Sequence, residues 1–88
     1  MSDTIRLRDA KLEWREIDGE VVALDGESSE YLGVNRAGAT LWPLLAEGST
    51  RDALVDCLCG AFAIERARAE ADVDAFVRAL GEKGLLAP

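Results

Sequence analysis

Tyr31-Leu32-Gly33-Val34-Asn35-Arg36-Ala37-Gly38-Ala39-Thr40-Leu41-Trp42 is the stretch that decides the fold. Leu32 and Val34 fall on one face of an extended segment, and Tyr31 and Gly33 on the other. Asn35 follows at once. Its side-chain oxygen can accept from an orphan N–H, so it reads as the N-cap of a helix. Ala37, Gly38 and Ala39 then lead to Leu41 and Trp42. A strand therefore passes into a helix through one asparagine.

Upstream, Leu12-Glu13-Trp14-Arg15-Glu16-Ile17 alternates, with Leu12 and Trp14 on one face. Asp18-Gly19 is a favoured two-residue hairpin turn, because both residues tolerate positive φ. Val21-Val22-Ala23-Leu24 is the return strand. Asp25-Gly26-Glu27-Ser28-Ser29 makes a second turn, and Glu30 to Val34 forms a third strand. The result is an antiparallel three-strand meander. Residues 1–10 mix charges with Ile5 and Leu7 and are expected to be a loose or weakly extended arm, ahead of a folded domain over residues 11–88.

Downstream, the first helix carries Ala37, Leu41, Trp42, Leu44 and Leu45, and Gly48 ends it. Pro43 removes one helical hydrogen bond, which predicts a kink or irregularity near Ala39 and Thr40. Ser49 or Thr50 caps a second helix, with Leu54, Cys57, Leu58, Ala61 and Phe62 on its apolar stripe. The third helix is expected from about Glu65 to Lys83. Ala69, Val73, Phe76, Val77 and Leu80 form its core stripe, and Asp72, Ala75, Ala79 and Lys83 run along one flank. Gly84 stops it, and Leu85-Leu86 packs back. The two tryptophans are expected in the core, since large aromatics dominate small cores. The fold class is α+β, a three-stranded antiparallel sheet followed by three helices.

The chain has 88 residues, 49% of them hydrophobic, which fits one small domain. Such a domain buries only roughly 60–65% of the surface its unfolded chain exposes, so it is expected to lean on a partner. Net charge is −7, spread evenly along the chain. Nucleic-acid binding needs clustered Lys and Arg, so this charge argues against it. No apolar run reaches the length of a membrane span, and the charged N-terminus does not resemble a secretion signal. A cytoplasmic protein is expected, with no membrane partner.

The chain has no histidine, which excludes Ser-His-Asp and Cys-His nucleophile pairs. Without histidine, Cys57 and Cys59 cannot complete a tetrahedral zinc site. Two apart on a helix, they point away from each other and read as reduced, Cys57 buried and Cys59 half-exposed. There is no phosphate loop and no dinucleotide fingerprint. The expectation is no enzyme activity, no metal and no cofactor. What remains is a surface. The third strand is short and carries no Lys or Pro to repel a neighbour, so a peptide could add to it as a fourth strand. A covered edge fits the same pattern.

Gly19 to Asp25, Tyr31 to Asn35, Ala37 to Trp42, and Asp72 to Leu80 followed by Lys83-Gly84-Leu85-Leu86 together resemble the PqqD-like family of precursor-peptide recognition elements. In that family three strands precede three helices in a winged-helix-like arrangement. The resemblance spans about residues 10–87. Tyr31-Leu32-Gly33-Val34-Asn35 with Gly38 and Leu41-Trp42 looks most like the stand-alone proteins of lasso-peptide biosynthesis. The resemblance implies binding of the leader segment of a ribosomally made precursor, and its presentation to a separate leader-removing cysteine protease ahead of a macrolactam cyclase. Nothing at the termini suggests fusion to either enzyme. The implied binding residues are Glu30, Tyr31, Leu32, Gly33 and Val34 on the strand, and Asp72, Ala75, Phe76 and Ala79 on the third helix. Phe76 fits the apolar core equally well, and Asp72 also reads as a solvated charge. Two competing functions are a chaperone that hands a pyrroloquinoline quinone precursor to a radical enzyme, and a winged-helix DNA-binding regulator.

Overall fold

A computed structural model describes residues 4–8 and 12–87. Three strands, β1 (Leu12–Ile17), β2 (Glu20–Asp25) and β3 (Glu30–Val34), precede three helices, α1 (Arg36–Glu47), α2 (Arg51–Phe62) and α3 (Arg66–Glu82). The sheet is antiparallel in the order β1-β2-β3. Ile17 pairs with Glu20 across Asp18 and Gly19, both at positive φ, which is the primed hairpin geometry that suits the strand twist.

Asn35 caps α1, its Oδ1 accepting from the Gly38 N–H at 3.0 Å. Gly48, at φ 101°, ends the helix. Thr50, rather than Ser49, caps α2 by accepting from the Ala53 N–H. Helix α1 stays continuous across Pro43, whose exposed ring faces solvent. Helix α3 starts and stops one residue inside the expected bounds, with Glu65 and Lys83 as its flanking residues.

The core lies between one sheet face and the helices. Val21, Ala23 and Val34 from the sheet meet Leu41, Trp42 and Leu45 of α1, and Leu54, Val55 and Leu58 of α2. Ala69, Val73 and Leu80 of α3 close it. Trp42 is fully buried, whereas Trp14 is 41% exposed. Trp14 packs edge-to-face on Trp42, with ring centroids 6.1 Å apart, but its outermost strand leaves it one wet side. The expected stripe of α2 also fails at its end. Val55 is buried, while Ala61 and Phe62 are exposed, and Phe62 lines a surface hollow with Thr40 and Pro43. Cys57 and Cys59 are both half-buried, and burial pushes the Cys57 thiol up.

Where a loose arm is expected, residues 4–8 are pinned. Ile5 exchanges backbone hydrogen bonds with Ser49, and the Leu7 N–H donates to the Leu45 carbonyl. On the other side, Leu7 bridges to Leu86, and Ala87 donates to the Arg6 carbonyl. Leu7 is buried in the core. Residues 1–3, 9 and 10 of that arm lie outside the described residues.

Candidate functional site at the sheet edge

Among the described residues, strand β3 pairs with β2 on one side only, so it is an edge of the three-stranded sheet. In an antiparallel edge strand every second residue turns its N–H and C=O outward, unpaired. Beside that edge, a groove of about 210 Å³ separates β3 from α3. Leu32, Gly33, Val34 and Asn35 form one wall, and Phe76, Ala79, Leu80 and Lys83 form the other.

The alternation along β3 determines what the groove presents. Val34 is 5% exposed and Leu32 half-buried, both directed at the helices, while Tyr31 is 75% exposed on the opposite face. Phe76 closes the end of the groove near Val34. Its ring lies so close to Gly38 that a Cβ there would sit 2.8 Å from Cε1. Gly38 is therefore required for α1 to start directly beneath the strand and let Phe76 pack over it. Ala79, small and exposed, keeps the α3 wall low.

A second, narrower hollow adjoins the first through Leu32 and Lys83, and adds Glu30, Tyr31, Asp25 and Leu85. An electrostatic clamp stands at this end. The Arg8 guanidinium donates to Asp25 Oδ1 at 2.6 Å, to Glu27 Oε2 at 3.2 Å and to the Gly84 carbonyl at 2.9 Å. It ties the β2–β3 turn to the segment after α3 and so holds the two walls at their spacing. The Asp25 carboxyl also accepts from the Glu27 N–H, and this bond with the Arg8 contact holds it below the usual carboxylate range. On the far side of α3, Arg51 of α2 makes a bidentate pair with Asp74 at 2.7 and 2.9 Å, which keeps Asp74 ionised to lower pH than usual.

Of the nine residues implied by resemblance, Leu32, Gly33, Val34, Phe76 and Ala79 line the main groove, and Glu30 and Tyr31 the adjoining hollow. Asp72 and Ala75 lie on the Ala79 flank but outside both linings. Seven residues of helix rise about 10 Å, so Asp72 stands roughly two turns from Ala79. It pairs with Arg68 at 3.8 Å. Asn35, Leu80 and Lys83 were not implied. Asn35 and Leu80 looked fully occupied as cap and core, and the position of Lys83 on the Ala79 flank was the one sequence signal for it. Arg8 had none. Among the described residues, no group of three His, Cys, Asp or Glu side chains could hold a metal ion, and no helix is long and apolar enough to cross a membrane.

The family model for coenzyme PQQ synthesis protein D (PqqD) matches residues 20–86, most of the chain. The chain belongs to the PqqD family. Two solved structures refine its place there. One is TbiB1 in complex with the TbiA(beta) leader peptide, 34% identical, with a TM-score of 0.84 over 92% of this chain and 93% of that one. The other is a lasso peptide synthetase B1 complexed with the leader peptide, 32% identical, with a TM-score of 0.82 over 96% and 98% of the two chains. No curated protein matches at a significant level.

Proposed function

We propose that this PqqD-family chain binds the leader segment of a lasso-peptide precursor and presents it to a separate leader-removing cysteine protease, ahead of a macrolactam cyclase. The leader adds antiparallel to β3 as a fourth strand, against α3. Glu30, Tyr31, Leu32, Gly33 and Val34 meet its backbone and flanking side chains. Phe76 and Ala79 form the opposite wall, and Ala75 and Asp72 receive the peptide where it runs past Val34. The chain has no catalytic role of its own and works in the cytoplasm, without nucleic acid or membrane.

The observation that carries this reading is a strand edge, unpaired among the described residues, facing a mostly apolar groove of about 210 Å³. The two similar structures, both complexes with leader peptides, support it. The energetics say what the groove must do. Each backbone hydrogen bond contributes about 0.5–1.5 kcal/mol net, whereas ordering one peptide residue costs about 1–2 kcal/mol. Strand pairing alone does not hold a leader. Burying one or two apolar leader side chains against Leu32, Phe76 and Leu80, at about 1.5–3 kcal/mol each, supplies the remainder.

The test is calorimetric titration of the folded protein with a synthetic leader peptide from its own precursor. Saturable one-to-one binding with a negative heat-capacity change is expected. A folded protein that binds no such leader would falsify the proposal. The PQQ description of the family model favours a second reading, in which the chain holds a precursor for a radical enzyme. Reconstitution with each enzyme separates the two, since only the true partner's turnover will depend on this chain.

A further inference from the structure

Most cations of this chain already have a counter-charge. Arg8, Arg51, Arg66, Arg68 and Arg78 each pair with a carboxylate. Lys83 is exposed and makes no ion pair among the described residues. It stands where the two hollows meet and lines both. Arg6, Arg15 and Arg36 also lack an ion pair among the described residues, but they line neither hollow. Every other residue lining the main groove is uncharged, so Lys83 is the one charge there among the described residues.

The carboxylates nearby do not neutralise it. Asp25 is held by Arg8, and Glu82 by Arg78. Glu30 lines the narrow hollow with Lys83 but makes no ion pair with it. The backbone beneath Lys83 is fixed on both sides. Its N–H donates to the Ala79 carbonyl at 3.1 Å, and Arg8 holds the carbonyl of the next residue, Gly84. An apolar channel thus ends on one uncompensated positive charge, in a chain of net charge −7. The complement is a peptide that carries an acid beside its apolar contact. A lysine at a helix C-terminus also favours the helix dipole, but that role does not require it to line a groove.

The spacing places that acid. Lys83 lies roughly 7.5 Å of helix rise beyond the midpoint of Phe76 and Leu80. Side chains on one face of an extended strand recur about every 6.6 Å, or every second residue. A leader antiparallel to β3 runs from Val34 toward Glu30, so Lys83 meets it on the C-terminal side of the residue held by Phe76 and Leu80. We infer that Lys83 is a specificity-determining residue, which selects an acidic leader side chain two residues C-terminal to the apolar one packed on Phe76 and Leu80. This inference rests on the leader-binding reading and gives it a charge rule. Leaders with a neutral side chain at that place bind more weakly, and leaders with a basic one are repelled.

Calorimetry with the synthetic leader of the chain's own precursor tests it. Alanine scanning of that peptide first locates its apolar anchor. An acid two places C-terminal to the anchor is expected, and a neutral or basic residue there overturns the inference. Lys83→Gln should bind the leader about fivefold more weakly, and changing the leader's acid to its amide should cost the parent the same. Both changes together should cost no more than one, since each removes the same pair. Lys83→Glu should lose at least about tenfold, and a leader with lysine in place of the acid should recover most of that loss. The Lys83→Gln loss should shrink at about 1 M salt, where the Debye length is about 3 Å. Arg15→Gln removes the same charge from β1, the strand farthest from β3, and should bind within about twofold of the parent. Melting curves of all variants confirm folding. A role confined to the helix terminus would lower Tm and leave affinity and the charge swap unmoved, and that result overturns the inference. So do additive losses in the double change, or equal losses in Arg15→Gln and Lys83→Gln. Failure of the leader-binding reading is distinct, because the parent then binds no leader at all and the inference falls with it.

Discussion

Replacing Gly38 with alanine sets two effects of known size against each other. Gly38 is the third residue of α1, so alanine gains up to about 1 kcal/mol in helix propensity. Against this, the new Cβ would fall far inside the contact distance of Val34 Cγ1, and 2.8 and 3.0 Å from Phe76 Cε1 and Cζ. Carbon pairs sit at about 3.5–4.0 Å, so the Phe76 ring must retreat by roughly 0.7 Å or more. Val34 cannot yield easily, because it is buried and its β-branched side chain is stiff at χ1. Two simultaneous overlaps place the packing cost near the upper end of the usual range, about 3 kcal/mol. The net loss is then about 2 kcal/mol, or a drop in Tm of about 8–16 °C for a domain this size. Phe76 lines the groove, so a ring pushed away from Gly38 changes the groove's shape and leader affinity should fall as well. Calorimetric melting and leader titration check both effects. Gly38→Ala with Phe76→Leu should recover part of the stability, because the two residues are in contact. A single variant that melts at or above the parent and binds leader equally well would refute this account of the groove floor.

Ala79→Arg places a long charged side chain across the groove from an exposed helix position. Stability should change by about 0.5 kcal/mol or less, while leader affinity falls at least about tenfold, and normal binding by the folded variant would misplace the α3 wall. Tyr31→Asp should fold normally by circular dichroism and weaken leader binding about fivefold through the lost cross-strand contact. Leu32→Pro should weaken it further, with folding checked on the same samples, because proline also perturbs the sheet. Asp25→Asn tests the Arg8 clamp through pH. The folded-state pKa of Asp25 lies below its ordinary value near 3.8, so its contribution is full above that value and is lost as pH falls through the lower, folded-state one. The difference in Tm between parent and Asp25→Asn should therefore be constant from neutral pH to about 5 and shrink below about 4. A difference that persists unchanged to pH 2.5 would contradict the clamp.

The order of elements was legible because each boundary has a local cause. Asp18-Gly19 can turn, Asn35 and Thr50 can cap, Gly48 can stop a helix, and strand and helix periods do not overlap. The two faces of β3 followed from its period of two. The family was legible because these signals occur in one order. Local rules failed where exposure depends on what lies alongside. Trp14 reads as core until the strand order puts β1 on the outside, and Phe62 continues the α2 stripe until the last turn runs past its neighbours.

The sequence by itself determined the strands, the helices, their caps and the faces each presents, because those depend on residues within a few positions of one another. It also excluded histidine-based nucleophilic catalysis, since that chemistry needs a residue type the chain lacks. The tertiary structure decided the rest. It brought Phe76 over Gly38, 38 positions away in the chain, and carried Arg8 to Asp25 and Gly84 at once. It turned residues 4–8 of the expected loose arm into a pinned strap, and it left one edge and one face of the sheet without a described cover. Those outcomes depend on which element packs against which, and that is settled by burial summed over the whole core rather than by any local pattern.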